Sequence, residues 1–526
     1  MINPVLLLIL SATTIFLPLL IRKRVVFPFV FGIVFTAGLF VSKEVLTLPY
    51  WLYPYGWQIR IDALSYFFLV LLTFLVFMVA LYSYSYIDKS DNAYFGWLGV
   101  FLTASMGVIV SGDFLNFFIF WELVAFALYS LIKKNQPEVA HRYFIIQFSG
   151  ASVLLLGILL YYSNTGHLLV GPVPGNLRFL FILGLGVKGA IWGLHFWLPE
   201  AHTKAPSSVS CLLSGFVVKL GIYGFIRLIP DYNLFFLVLG GLMALYGVVF
   251  ALFQHDAKTL LAYHTISQLG YIIMGLGSGN IIGQTGALYH LFNHAVFKGL
   301  LFLAVGAAGY RLGTRDLIKM GYLYKSMPVT TMTCLVAALS IAGIAPFNGY
   351  ISKTLIKEGL YDINLMKHLI TIVNYGTILS FSKLMYYGFF NKPEELKEKN
   401  NALKEVPAGM TTAMIIMASV CLVTGLMPQL LLNDIIFADI SISFWSFEKL
   451  SSNIYTLILG LVIFYIGRNI LRPKHKVIND IDYFYRSIVP FLSRFEIKIK
   501  SIHTGNLSHY LIWYVTFLVV IILSIL

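Results

Sequence analysis

ALSYFFLVLLTFLVFMVALYS, residues 63–83, holds twenty-one consecutive positions without a formal charge. As a helix rising about 1.5 Å per residue, the run reaches roughly 30 Å, the thickness of a bilayer's hydrocarbon core. Its side chains are apolar on every face, so it lacks the alternation of a strand in a membrane barrel. In lipid such a segment must satisfy its own backbone, and a helix does so. Outward from this run, comparable stretches cover 4–20, 25–42, 94–111, 114–132, 141–162, 178–198, 206–229, 234–253, 262–279, 283–309, 328–360, 364–390, 409–431, 453–470 and 508–526, about sixteen spans in all. The expected fold class is all-α, a polytopic transmembrane helical protein.

Composition agrees. Of 526 residues 59% are apolar and 11% charged, with a mean hydropathy of +0.82, against roughly 25% charged in soluble domains. In the first run, Leu6 to Leu20, the basic cluster Arg22-Lys23-Arg24 follows the apolar stretch and no small-residue cleavage site is evident, so a retained helix is expected rather than a signal peptide. The net charge of +14 does not point to nucleic acid, because the basic residues sit in short loops between spans. About 25 of the 37 Lys and Arg lie in loops on the side of the first loop and about 6 on the other. By the positive-inside rule both termini are expected outside, with Lys133-Lys134, Arg311 to Lys325 and Lys392 to Lys404 in the cytoplasm. Cys211, Cys334 and Cys421 are far apart in apolar helices, which gives no disulfide, cluster or zinc framework. The segment 472–507 mixes Arg472, Lys474, Lys476, Arg486, Arg494 and Lys498 with Ile481, Phe484, Ile488, Phe491, Leu492 and Phe495, an amphipathic pattern suited to a membrane surface or a neighbouring subunit.

Two spans are expected to break. The twelfth is interrupted near Ala345-Pro346-Phe347-Asn348-Gly349, and the seventh is expected to end in Trp197-Leu198-Pro199 before Pro206 opens the next helix. Proline removes a backbone donor, and freed carbonyls inside a membrane are tolerated where they line a polar cavity. The spans also hold Glu122, Lys188, His195, Lys219, His264, His290, His294, Lys298, Lys353, Lys357 and Lys383. A charge at a helix centre costs at least about 2.5–3.5 kcal/mol in a membrane, so several together indicate function. Lys357 and Lys383, nearer helix ends, are equally explained as snorkelling or locally paired. Glu122, Lys188, Lys219 and Lys353 lie well inside apolar runs. Burial and the approach or withdrawal of a carboxylate decide whether a lysine keeps its proton, so the three lysines read as switchable proton carriers and Glu122 as the negative partner that loads and releases them.

His290, His294 and Lys298 recur every four residues and share one helix face, about 6 Å apart along the axis. Histidine accepts on one ring nitrogen and donates from the other, which suits a relay. Two histidines at this spacing also bind zinc, but no third ligand is visible and Lys298 would repel a cation. Gly184, Gly186 and Gly189 spell GxGxxG inside an apolar span with no preceding strand, a pattern for close helix packing rather than a dinucleotide.

These residues carry a resemblance. The stretch Gly112-Asp113-Phe114-Leu115-Asn116-Phe117-Phe118-Ile119-Phe120-Trp121-Glu122-Leu123 is followed by His195-Phe196-Trp197-Leu198-Pro199-Glu200-Ala201-His202 leading to Ala205-Pro206, and by Lys219-Leu220-Gly221-Ile222-Tyr223-Gly224. Then come Asp256-Ala257-Lys258-Thr259-Leu260-Leu261-Ala262-Tyr263, Ser267-Gln268-Leu269-Gly270-Tyr271, His290 to Lys298 and Pro346 to Lys353. Over about residues 60–390 the chain resembles the antiporter-like subunits shared by respiratory complex I, Mrp cation/proton antiporters and energy-converting membrane-bound hydrogenases. The resemblance implies two inverted five-helix repeats with broken helices, a transporter architecture. The corresponding divisions are 1–93 for N-terminal spans, 94–230 and 231–390 for the repeats, and 391–526 for C-terminal spans. It makes Glu122 the fifth-helix glutamate, Lys188 the seventh-helix lysine, Lys219 the eighth-helix lysine, Lys298 the eleventh-helix lysine and Lys353 the ionisable residue of the broken twelfth helix, joined by a central hydrated axis. Two departures stand out: Gln147, Ser149 and Gly150 occupy a region where some members carry an aspartate, and Gln268 stands where some carry histidine.

The expected function is a proton-translocating membrane subunit of a redox-driven complex of the hydrogenase or complex I type, moving H+ along Glu122, Lys188, Lys219, His290, His294, Lys298 and Lys353. The segment Ile502-His503-Thr504-Gly505-Asn506-Leu507 leans that way. No chemistry and no cofactor are expected in this chain itself. Fe-S clusters and other redox centres are expected in partner subunits, reached through further membrane subunits in a prokaryotic-type plasma membrane. The alternative is an Mrp-type Na+/H+ antiporter subunit. A polytopic transferase using His290 and His294 as bases lacks an acidic constellation, and a pure scaffold has no need of so many buried charges.

Overall fold

Several helices begin on a side-chain cap. In the computed structural model, described for all residues except 22, 49–56, 231–233, 392–402, 437–439, 441 and 475–526, Asp62, Asp113, Asp256 and Asn280 each accept a hydrogen bond from a backbone amide three residues on, at 2.8–3.0 Å. Each cap satisfies a donor that a helix start leaves free. The longer helices are α1 (Pro4–Leu20), α2 (Val26–Leu39), α3 (Ala63–Tyr86), α4 (Ala93–Val110), α5 (Phe114–Lys133), α6 (Pro137–Thr165), α7 (Arg178–Lys188), α8 (Trp197–Lys204), α9 (Ser207–Leu228), α10 (Leu234–Phe253), α11 (Ala257–Leu276), α12 (Ile281–Leu312), α13 (Pro328–Ala342), α14 (Asn348–Gly359), α15 (Asn364–Met385), α16 (Ala408–Leu426) and α17 (Phe447–Gly467).

Among the described residues nine of these, α3, α4, α5, α6, α9, α10, α12, α16 and α17, are long and apolar enough to cross a membrane, and α1, α2 and α13 are shorter apolar helices. The fold is all-α and polytopic. The amphipathic segment 472–507, the last run 508–526 and Ile502 to Leu507 lie almost wholly outside the described residues. One small departure from all-helix is an antiparallel hairpin, Val45–Leu48 against Trp57–Arg60, whose Gln58 carbonyl accepts from the Gly112 amide at 2.7 Å at the threshold of α5.

α12 is the axis of the molecule. Its 32 residues make a rod of roughly 48 Å, buried along its spanning stretch. It packs against α9, α11, α13, α14 and α16. A helix surrounded by protein in this way needs no polar face, so His290, His294 and Lys298 on it point into protein.

Both expected breaks exist, one of them displaced. α7 ends at Lys188 itself, and residues 189–196 leave the helix, with Ala190 at φ +48° and Gly193 at φ +87°. Pro199 does not end the segment; it sits in the first turn of α8, where a missing amide hydrogen leaves no bond unmade. Across this gap the Trp197 indole donates to the Val187 carbonyl at 2.8 Å. In the second break, α13 stops at Gly343 with φ +74°. Asn453 of α17 then clamps the interruption, donating to the Gly343 carbonyl at 2.8 Å and accepting from the Ala345 amide at 3.0 Å. The GxGxxG glycines do pack helices: a Cβ on Gly184 would lie 2.7 Å from Leu154, and one on Gly221 of α9 would lie 2.4 Å from Gly189.

Candidate ion path

The lysines singled out from sequence are buried: Lys188 is 1% exposed, Lys219 and Lys298 0%, and Lys353 9%. At the first-repeat end, α5 places Trp121 and Glu122 side by side. The Lys188 ammonium, at the last turn of α7, donates to the Trp121 carbonyl at 3.2 Å and lies 4.5 Å from the centre of its ring. The half-buried Glu122 carboxylate acts on Lys188 electrostatically. Its Oε1 has no hydrogen-bond partner among the described residues.

Lys219 does not extend that pair, contrary to the grouping by repeat that sequence suggested. α9 widens into a π-helical turn at Leu213–Val217, a distortion common at functional sites. The Lys219 ammonium donates to the Ser214 carbonyl inside this turn and lies 2.6 Å from Nδ1 of His294 on α12. Lys219 thus joins the second half of the molecule. From His294 the next group is His290, one helical turn away, the two rings stacked at 6.2 Å and 12°. His290 Nε2 faces Gln268 Oε1 at 3.1 Å, and its Nδ1 faces the Ser352 hydroxyl at 2.8 Å. When the ring proton sits on Nε2 it is donated to the glutamine oxygen and Nδ1 is left to accept; the Ser352 hydroxyl also faces the Gly349 carbonyl at 3.3 Å. The two ring nitrogens are therefore turned to separate partners on α11 and α14.

Ser352 adjoins Lys353. The Lys353 ammonium donates to the Ile341 carbonyl and to Asn374 Oδ1, both at 2.7 Å, and lies 4.8 Å from the Tyr271 ring centre. It thus closes off a carbonyl at the end of broken α13. Lys298 stands apart: its ammonium has no hydrogen-bond partner among the described residues and lies between the Phe302 and Phe381 rings, 5.9 and 5.7 Å from their centres. Lys383 is buried with its ammonium on the Leu252 carbonyl at 2.7 Å, a locally satisfied lysine, whereas Lys357 is exposed.

Three groups left out of the expected path belong beside it. His264 of α11 is buried against Phe381, within electrostatic reach of Lys298 and Lys353. His202 of α8 stacks on Phe302 at 4.8 Å, within reach of Lys219, Lys258 and Lys298. Lys258, fully buried, donates to the Ala205 carbonyl at 2.6 Å and to Ser210 Oγ at 3.1 Å. Neither ring nitrogen of His202 or His264 has a hydrogen-bond partner among the described residues. His202 and Lys258 stand in motifs visible in the sequence and His264 among the ionisable residues of the spans; what sets them beside the lysines is their burial, which the sequence alone does not give. Outside the spans, Asp62 forms a two-pronged ion pair with Arg227 at 2.5 and 2.9 Å. Burial opposes it, but Arg227's hydrogen bonds and charge hold the Asp62 carboxyl well below the usual carboxylate range.

A buried file of lysine, histidine, hydroxyl and amide groups across a polytopic helical bundle with two broken helices defines a class, the ion-translocating membrane proteins. Residues 111–380 match the family described as NADH:quinone oxidoreductase/Mrp antiporter, TM, and the chain belongs to that family. It is 30% identical over 418 residues to hydrogenase-4 component B of Escherichia coli K12, covering 70% of this chain and 62% of that one. It is 31% identical over 453 residues to Na(+)/H(+) antiporter subunit A1 of Staphylococcus aureus MRSA252, covering 76% of this chain and 56% of that one. The chain therefore spans less than two thirds of the length of either curated relative. Among solved structures, a chain of the membrane-bound sulfane sulfur reductase, an archaeal respiratory membrane complex, superposes with a TM-score of 0.78 at 24% identity, over 98% of this chain and 99% of that one. That likeness is one of fold.

Proposed function

We propose that this chain is a proton-translocating subunit of a redox-driven membrane complex, in which Glu122, Lys188, Lys219, His290, His294, Lys298 and Lys353 pass protons. One observation carries the reading: Lys219, His294, His290 and Ser352 form a hydrogen-bonded and stacked file that ends beside Lys353 and is contributed by α9, α12 and α14. Each member takes up a proton at one atom and gives one from another or the same atom, which a relay requires. The two halves, residues 94–230 and 231–390, act in this reading as inverted repeats, each supplying one broken helix and one lysine beside the break.

The chain's own part is proton carriage. Redox chemistry, with Fe-S clusters and any other centres, belongs to partner subunits reached through neighbouring membrane subunits, and both termini lie outside. The relationship to hydrogenase-4 component B supports a redox-linked complex; the relationship to the Na(+)/H(+) antiporter subunit supports the second reading, an Mrp-type antiporter subunit. The test is proton uptake by vesicles holding the intact complex. Lys188→Met and Glu122→Gln are each expected to lower it at least tenfold while the complex still assembles. Uptake at the wild-type rate in both variants overturns the proposal.

A further inference from the structure

α17 is an odd helix. Its outer flank carries Ile454, Tyr455, Ile458, Leu461 and Val462, all exposed, yet its first turns hold Glu448, Lys449, Ser452, Asn453 and Thr456. At 100° per residue these five fall within an arc of about 140°. That arc lines a cavity of about 330 Å³ whose inner end is Lys353 and Asn374, room for several waters at roughly 30 Å³ each in the liquid. A helix that met only lipid would have no use for a polar stripe, and this one turns it toward Lys353, a buried lysine of the path that lines the cavity.

The outer end of the cavity holds an ion pair. Glu358, on the same helix as Lys353 and five residues further on, meets Lys449 at 2.9 Å, with the two side chains 35% and 31% exposed. Five residues set the two α14 groups about 7.5 Å apart along the axis, a gap that one or two waters bridge. Of the carboxylates lining the cavity, Glu448 is exposed on α17, whereas Glu358 is tied to α17 and lies on the way from Lys353 to the surface.

We propose that Glu358 accepts the proton that Lys353 releases, and that Lys449 is a positioning residue that holds the Glu358 carboxylate at the cavity mouth. The proposal rests on the reading of Lys353 as a proton carrier. The Lys353 ammonium loses one N–H proton to become an amine, the proton crosses the water of the cavity, and the Glu358 carboxylate gains it as an O–H. The neutral acid no longer attracts Lys449, the ion pair opens, and the proton leaves to bulk water as the carboxylate re-forms. α17 is in this view one wall of the outlet, and Asn453, which clamps the break above it, keeps that wall in register with α13.

Two measurements test this on the intact complex. In vesicles, Glu358→Gln is expected to lower proton uptake at least tenfold with assembly intact, Glu358→Asp to retain most of it, and Lys449→Met to lower it about threefold with recovery in Lys449→Arg. Separately, Thr354→Cys, lining the cavity beside Lys353, is expected to react with a membrane-impermeant thiol reagent; the wild-type chain, whose Cys211, Cys334 and Cys421 are buried, is the blank. Wild-type uptake in Glu358→Gln alongside an inactive Lys353→Met overturns this proposal and leaves the relay standing. Wild-type uptake in both overturns the relay reading of Lys353 as well. An unreactive Thr354→Cys shows a cavity closed to water and overturns the outlet.

Discussion

At the scale of single residues, the contact between Lys219 and His294 decides whether the molecule has one path or two. It is 2.6 Å long, fully buried, and formed by helices assigned to different repeats. If the two groups act as one relay, removing either already breaks it, and effects of residues that act as a unit do not add. Lys219→Met and His294→Ala are each expected to lower proton uptake at least tenfold, and the double variant no further than the worse single one. Fully additive losses would place the two groups on separate routes.

The ion pair of Asp62 with Arg227 gives a second residue-scale test, this time of stability. Asp62 is the N-cap of α3 as well as the partner of Arg227, and asparagine retains the cap while removing the charge. The folded carboxyl titrates below its unfolded value of about 3.9. Its contribution is therefore present above that value and lost as pH falls from about 4 toward the depressed folded value. Removing one partner of a buried pair costs about 3–5 kcal/mol; with Asp62 partly exposed, on the order of 1–3 kcal/mol is expected for Asp62→Asn at pH 7. Thermal unfolding in detergent should show the gap between the two proteins narrowing below pH 4. A gap independent of pH would assign the loss to something other than this charge.

At the scale of elements, much was legible. Runs of apolar residues gave the helices, and the break at Ala345 to Gly349 was visible because glycine and proline interrupt an otherwise continuous span. The first break was misplaced because proline was taken as the breaker, whereas in the first turn of α8 it is harmless and the chain departs at the residues after Lys188. The clamp of Asn453 on Gly343 and Ala345 was out of reach, since its partners stand 110 and 108 positions away. The membership of Lys219 in the second half was hidden for the same reason. The GxGxxG pattern pointed to close helix packing without naming the partner; the structure supplies it where Gly189 meets Gly221 of α9, and this carries a prediction. A Cβ on Gly221 would fall 2.4 Å from the Gly189 Cα, so Gly221→Val overpacks a contact that lies between Lys188 and Lys219. A loss of about 1–3 kcal/mol and a fall in proton uptake are expected together, measured by melting temperature and vesicle uptake. Gly171→Ala, where nothing lies within 4 Å, should alter neither.

For the whole molecule the remaining choice is the cargo, and the composition of the path bears on it. Sodium is held by oxygen ligands, several at once. Along the file from Lys219 to Lys353 the ionisable groups are lysines and imidazoles, and the side-chain oxygens bonded to them, those of Ser352, Gln268 and Asn374, are already engaged with His290 or Lys353. A sodium ion entering this file would meet ammonium groups before it met a cage. A proton needs no cage, only a succession of atoms that can hold and release it, and the file is such a succession. Vesicles with the intact complex should therefore take up protons at an unchanged rate when all sodium is replaced by choline. A rate that falls with sodium and recovers in proportion to added sodium would mean that this chain's own path carries the cation, and the antiporter reading would replace the one favoured here.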